Sequence, residues 1–324
     1  MDGHGGAAVH RIEFEMEWPP GHVACYLLAA DEQVLFDAGA PDGLTDGPRE
    51  SETLREGVAA AGYALSDIEH LVVTHPHLDH VGQVPTVVEA ADPTVYAPVG
   101  VRERFAQDAD ALAERVRANA RAGGLRGDQL ASAVEDAVES LERDRTLLAP
   151  ERVDEWVEPG PVAFGDVTAE AVHTPGHQAD HLSYFVDSGD DRLLLSGDTV
   201  MEPFRAVVLH DGMDDDHREA FAAYFDGLDR LATRDADRVY PGHGAVHEGF
   251  SELVERDRES LARRLDVVES LVGDGHATVP AVADALAGDR PSRYLFTEAM
   301  SALAHLREQG RLDATVEDGV SRHR

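Results

Sequence analysis

Three imidazoles and a carboxylate fall within six consecutive residues of the stretch Thr74-His75-Pro76-His77-Leu78-Asp79-His80. The stretch follows directly on the apolar run Leu71-Val72-Val73. A β-branched run that a proline breaks into a polar loop reads as a buried strand ending at a site. Alternate residues of an extended chain point the same way. His75 and His77 are therefore expected to face one point, and the turn through Asp79 and His80 a second point beside it. Histidine with aspartate is a ligand set that zinc favours, and a site with room for water is catalytic rather than structural. The plain alternative is a surface loop that happens to carry histidines. Four candidate ligands in six positions weigh heavily against it.

The 324 residues suit one large domain with a small one, or two domains. A hydrophobic content of 43% is enough for a core. No apolar run approaches the roughly 18 residues of a membrane span. The first residues, with Asp2, His4, Glu13 and Glu15, lack the basic and apolar parts of a signal peptide. One cysteine, Cys25, excludes an intrachain disulfide. The expectation is a cytoplasmic protein with no membrane partner. Acidic residues number 63 against 28 basic ones, a formal net charge of -35, and every basic residue other than histidine is arginine. Such a chain repels itself at low ionic strength, and salt screens that repulsion. The acids are spread among apolar, helix-patterned segments rather than gathered in a tail, so the charge reads as a device for solubility. In this it resembles proteins of salt-accumulating halophiles.

Along the chain, Arg11 to Trp18 alternates apolar Ile12, Phe14, Met16 and Trp18 with three glutamates, the pattern of a half-buried strand. Strands follow at His22–Leu28 and Val34–Phe36, the second ending in Asp37-Ala38-Gly39, and Glu50–Ala61 reads as a helix. After His80 a helix opens at Val81-Gly82 and runs to about Ala91, followed by a short strand at Val95–Ala97. Residues 101–148 break this rhythm. Their apolar spacing (Leu112 and Val116; Leu130, Val134, Val138 and Leu141) and the break at Gly123-Gly124 predict an inserted helical hairpin, either decorative or a lid. Strand-to-loop transitions recur at Val167–Val172 before His173-Thr174-Pro175-Gly176-His177, at Leu193–Leu195 before Ser196-Gly197-Asp198, and at Val239-Tyr240 before Pro241-Gly242-His243-Gly244. A long helix at about Phe250–Gly273 leads to a tail of helix (Val279–Leu286), break at Pro291, helix (Leu295–Gln309) and strand (Arg311–Val316). From residue 276 onward seven acids face six arginines, so the tail is nearly neutral on a very acidic chain. It is expected to pack on the catalytic domain, with a contact surface for a partner as the alternative.

His75-x-His77-x-Asp79-His80 resembles the metal-binding signature of the metallo-β-lactamase-fold hydrolases. Thr174-Pro175-Gly176-His177, the strand end at Asp198 and Pro241-Gly242-His243 resemble that family's later motifs, in order, over roughly His10 to Arg264. The resemblance implies an α/β chain in a four-layer α/β/β/α sandwich over residues 1–264, with the helical insertion at about 101–148. Residues 265–324 would then form the end of a linker helix and a small winged-helix-like domain, an appendage found in hydroxyacylglutathione-hydrolase-like and β-lactamase-like members. It further implies two Zn2+ ions, iron or manganese being acceptable to the same ligands. His75, His77 and His177 would hold one metal. Asp79, His80 and His243 would hold the other, with Asp198 bridging. Asp37 would brace the metal loop, and His181 would support rather than ligate. Two cations lower the pKa of a shared water towards ~7, so a hydroxide is available as nucleophile, with Asp79 orienting or deprotonating it. No serine or cysteine nucleophile is then required. There is no Gly-x-Ser-x-Gly elbow, and Cys25 sits in an expected buried strand. The leading function is hydrolysis of a small ester, thioester or lactone. An endoribonuclease or phosphodiesterase of the same fold, with RNA as partner, and a non-catalytic metal-binding protein are the alternatives. A nuclease needs a basic track along the phosphates, and the catalytic domain shows none. Oligomeric state is not legible.

Overall fold

The computed structural model describes residues 7–44, 47–288, 291 and 293–324. Asp2 and His4 lie outside these residues, as do Asp289 and Arg290, two of the charges counted in the tail.

The first half of the chain forms β1 (Ala8–Glu15), β2 (His22–Ala29), β3 (Gln33–Phe36), α1 (Glu50–Ala60), β4 (Ile68–Val72), α2 (Leu78–Val81), α3 (Val84–Ala91) and β5 (Thr94–Pro98). Helices α4 (Val99–Ala106), α5 (Ala109–Gly123) and α6 (Gly127–Leu147) follow, then β6 (Glu155–Val157). Strands β1 to β6 make one six-stranded sheet in sequence order, antiparallel up to β3 and parallel beyond. The second half begins with β7 (Gly160–Phe164), β8 (Val167–His173), β9 (Leu182–Ser188) and β10 (Asp191–Gly197), then α7 (Ala220–Leu231) and β11 (Arg238–Pro241). These strands form a five-stranded sheet in the order β11-β10-β9-β8-β7. The chain ends with α8 (Phe250–Gly273), α9 (Val279–Ala287), α10 (Arg293–Glu308) and a hairpin of β12 (Ala314–Glu317) with β13 (Val320–His323).

The sheets stack because both faces of their central strands are apolar. Ala24, Tyr26 and Leu28 of β2 join Leu193 and Leu195 of β10 in the core between the sheets. The alternate residues Val23, Cys25 and Leu27 pack outward against Leu54 and Val58 of α1 and Val84 and Val87 of α3. Leu194, on the opposite face of β10, packs outward with Phe221 and Leu228 of α7 and Leu261 and Leu265 of α8. A period of two with both phases apolar is what a strand buried on both faces requires. The result is the four-layer α/β/β/α sandwich.

Three expectations need adjustment. Strand β1 stops at Glu15, short of Trp18. The insertion has three helices rather than two, and Val116, Val134 and Leu141 on α5 and α6 join the outer layer of the first sheet. The helix after the histidine stretch is split, so Asp79 and His80 sit in the short α2. The tail is two helices and a hairpin. Val279, Val282, Phe296, Met300, Leu303 and Leu306 enter the same apolar cluster as α7 and α8.

Candidate metal centre

Every strand-to-loop transition singled out in the sequence delivers its polar residue to one edge of the sandwich. The loop after β4 brings His75 and His77, α2 brings Asp79 and His80, the loop after β8 brings His177, the end of β10 brings Asp198, and the end of β11 brings His243. Three sets of donor atoms each lie within 4.8 Å of one another: His75, His77 and His177; His75, His80 and Asp198; Asp79, His80 and His243.

The distances fit two adjoining polyhedra. His77 Nδ1 lies 3.0 Å from His75 Nε2 and 3.0 Å from His177 Nε2. His243 Nε2 lies 3.4 Å from Asp79 Oδ2 and 3.2 Å from Asp198 Oδ2, and the same Asp198 Oδ2 lies 3.2 Å from His177 Nε2. Asp198 Oδ1 lies 3.2 Å from His80 Nε2. Ligands of a tetrahedral zinc at its usual bond lengths stand roughly 3.3 Å apart. His80 Nε2 and Asp198 Oδ1 are buried with no hydrogen-bond partner among the described residues. Leaving buried polar atoms unpaired costs about 1–3 kcal/mol each, so such atoms mark a place built for another partner. The residues present therefore fit a divalent metal.

Hydrogen bonds fix which ring nitrogen faces the centre. His80 Nδ1 donates to Asp37 Oδ2 at 2.8 Å, His243 Nδ1 to the His22 carbonyl at 2.6 Å and His177 Nδ1 to the Val207 carbonyl at 3.2 Å. Each leaves an Nε2 lone pair pointing inward. Asp37 also accepts from the Thr74 amide at 2.8 Å and from Thr74 Oγ1. With that hydroxyl proton spent, Thr74 Oγ1 accepts from His75 Nδ1 at 2.9 Å. One carboxylate thus sets the orientation of two imidazoles, the bracing role expected of it. His181 is committed elsewhere: its Nε2 accepts the Asp198 amide at 3.0 Å while Nδ1 donates to Thr174 Oγ1 at 2.7 Å.

Electrostatics divides the imidazoles. Burial pushes His75, His77 and His177 below the ordinary histidine value and keeps them neutral. Burial works the same way on His80 and His243 and is the largest single influence, but the carboxylates together outweigh it, Asp198 with Asp37 at His80 and Asp198 with Asp79 at His243, and the net direction is up. Burial would raise Asp79 and Asp198, yet the histidines around them hold both below the carboxylate range. The field at the point of convergence favours positive charge.

The cleft over this centre is about 420 Å³. Trp18, Pro19 and Pro20 form one apolar wall, and Met201, Phe204, Val207 and Leu209 form the other. Arg205 is the one arginine among its lining residues. The insertion helices contribute none of that lining. They brace the 210–214 segment from outside, through Arg104 to Asp211 at 2.8 Å and Arg115 to Asp214 at 2.6 Å. Helix α8 fixes the second wall: Arg256 Nη2 donates to the carbonyls of Met201 and Phe204, and Arg264 Nη2 to that of Ala206. The sequence reading missed Trp18, His22 and the 201–209 wall. Trp18 followed an alternating strand pattern, although the proline pair behind it signals the turn that carries it into the cleft. The 201–209 segment holds no motif, so nothing local marks it.

Hydroxyacylglutathione hydrolase of Rhodopseudomonas palustris is 28% identical over 222 residues, which span 68% of this chain and 65% of that protein. The beta-lactamase-like protein 2 homolog of Caenorhabditis elegans is 26% identical over 274 residues, 82% of this chain and 71% of that protein. Among solved structures, a metallo-beta-lactamase family protein of Thermus thermophilus superposes with a TM-score of 0.76 at 21% identity, over 97% of each chain. A beta-lactamase domain protein of Burkholderia ambifaria gives 0.73 at 20% identity, covering all of this chain and 95% of that one. These two likenesses speak to fold, and they extend through the helices and hairpin after β11. Residues 18–243 match the model of the metallo-beta-lactamase superfamily, and the chain belongs to that superfamily.

Proposed function

We propose that the chain is a binuclear metallohydrolase that cleaves a small ester, thioester or lactone. The observation that carries this is the convergence of His75, His77, His177, Asp79, His80, His243 and the shared Asp198, with two buried donor atoms unpaired among the described residues. His75, His77 and His177 would hold one ion and Asp79, His80 and His243 the other, with Asp198 between them and zinc as the default. Metals so bound supply Lewis acidity and a water acidic enough to lose a proton near neutral pH.

The chain's own residues do the rest. Asp79, held ionised by His243 and His80, is an acceptor able to orient a water molecule at the floor of the cleft. The apolar walls around Trp18 and Phe204 take the non-polar part of the substrate and thin the water around the reacting bond. Cys25 is buried in β2, and burial pushes its thiol far up, which leaves no thiolate for nucleophilic attack. The hydroxyacylglutathione hydrolase likeness supports a thioester among the substrates. Phosphodiester cleavage is the weaker reading, because a cleft lined by one arginine offers no track for successive phosphates.

The test is a panel of thioesters, lactones, phosphodiesters and single-stranded RNA, run in molar salt with metal content measured on the same sample. Turnover of thioesters or lactones by protein carrying about two metals per chain is expected. Turnover confined to RNA or phosphodiesters, or full activity with one metal or none, would reverse the reading.

A further inference from the structure

Arg205 stands in the cleft of a chain whose formal net charge is -35. Its Nη1 donates to both oxygens of Glu298 on α10, at 3.1 and 2.9 Å. Glu298 is shared, since Arg264 Nη1 lies 3.0 Å from the same carboxylate. Two guanidinium groups thus share one buried carboxylate, which leaves each of them only partly engaged. The Arg205 side chain is 39% exposed. Its Nε and Nη2 have no acceptor among the described residues, and neither is buried without a partner. With Nη1 engaged, Nε–H and Nη2–H form a free two-donor edge. That edge matches the two oxygens of a carboxylate or a phosphate. Glu298 and the clamped 201–206 backbone hold the fork in place, so little side-chain entropy is lost when it engages an anion.

We infer that the substrate carries an oxyanion, a carboxylate or a phosphate, remote from its scissile bond, and that Arg205 binds it through the Nε–Nη2 edge. This rests on the hydrolase reading for the word substrate, and on the cleft's geometry for everything else. The ligand is then an amphipathic ester or thioester. Its apolar body lies between Trp18 and Phe204, its reacting carbonyl sits at the histidine cluster, and its anion reaches Arg205. Glu298 acts as a positioning residue, which makes α10 part of substrate selection although it lines no part of the cleft.

Trp18 lines the cleft, so its fluorescence reports occupancy of the metal-loaded protein. The probes are three non-hydrolysable thioethers with one apolar body, ending in a carboxylate, a phosphate monoester or a primary carboxamide. Wild type should bind at least one anionic probe about tenfold more tightly than the carboxamide, and the tighter of the two identifies the source of the oxyanion. Arg205→Leu should bind all three alike, and Arg205→Lys should recover part of the preference, because it restores charge without the fork. Glu298 keeps Arg264 in these variants. If Arg205→Leu fails to fold, Arg205→Gln takes its place. Equal binding of all probes by wild type would overturn the inference, as would a preference that survives in the folded Leu or Gln variant. Hydrolysis of the matching thioesters is read separately. Anion-selective binding without turnover would count against the hydrolase reading and leave Arg205 in its role; turnover without anion preference would do the reverse.

Discussion

His80 Nδ1 lies 2.8 Å from Asp37 Oδ2, and this contact reaches across the sheet edge from α2 to the end of β3. Asp37 has φ of +58°, in the left-handed region that asparagine also tolerates. Asp37→Asn therefore removes the charge with little backbone strain. Such an outer partner is worth roughly 10–100-fold in metal affinity. The variant should bind metal less tightly by a factor within that range, as read by competition with a chromophoric chelator, while its far-ultraviolet circular dichroism stays unchanged.

Gly242 leaves the space that the Asp198 and His80 side chains occupy. A Cβ there would come within 2.5 Å of Asp198 Oδ1 and of His80 Cε1. Gly242→Ala must displace the Asp198 and His80 side chains. It should lose metal relative to wild type, and overpacking should cost about 1–3 kcal/mol. Elemental analysis and thermal melting check the two parts independently. A variant with full metal content would show that the site is looser than these distances imply.

Asp180, three residues past His177, carries the pH dependence that is easiest to isolate. Burial pushes its carboxyl up to about 6, and the nearby charge of Asp211 adds to the effect. A carboxyl raised on folding binds its proton more tightly in the folded state. The stability it contributes is fully present below the unfolded value near 4 and is lost as pH rises through about 6. Asp180→Asn mimics the protonated form. It should match wild type at pH 4 and exceed it at pH 7.5 by on the order of 2 kcal/mol, as read by denaturant unfolding at both values. Equal stability of the two proteins at pH 7.5 would show that Asp180 is ionised without cost.

The ligand cluster was legible because each member stands at the end of an apolar strand, where a local pattern and a chemical type coincide. Asp198 is an example: Leu193, Leu194 and Leu195 announce a strand buried on both faces, and the carboxylate follows at its end. Strands β6, β7 and β9 and helix α7 were not legible. Glu158-Pro159-Gly160-Pro161 reads as a turn, although Gly160 and Pro161 already pair with Ala171 and Glu170 in the second sheet. They open a hairpin that turns at Gly165-Asp166 into β8, and the Pro-Gly-Pro composition at its start masks the strand, whose pairing and not its propensity decides it. Arg205 was hidden for a different reason. Its meaning depends on Glu298, 93 residues away, and on walls assembled from two separate segments.

The acidic surface sets the conditions under which all of this is measured. If the charge is an adaptation to salt, the melting temperature should climb steeply as KCl rises into the molar range, because screening relieves the repulsion among net-negative surfaces. A flat or falling curve would remove the halophile reading and leave the fold untouched.

Deleting residues 275–324 removes none of the proposed ligands, yet the structure argues that the remainder would not stand alone. Val279, Val282, Phe296, Met300, Leu303 and Leu306 pack with Phe221, Leu228, Leu261 and Leu265 in one apolar cluster. Six large side chains at about 2 kcal/mol each approach the whole net stability of a typical domain. The deletion also strips Glu298 from Arg264 and Arg205, leaving the buried Arg264 guanidinium without its carboxylate. The truncated chain should therefore aggregate or bind a hydrophobic dye, with no sharp melting transition. Leu306→Ala offers a milder version. Its side chain is fully buried, so a loss of about 2–5 kcal/mol is expected from the cavity alone, with metal content unchanged. A truncated protein that melts cooperatively near the wild-type temperature would show that the tail is a separable module.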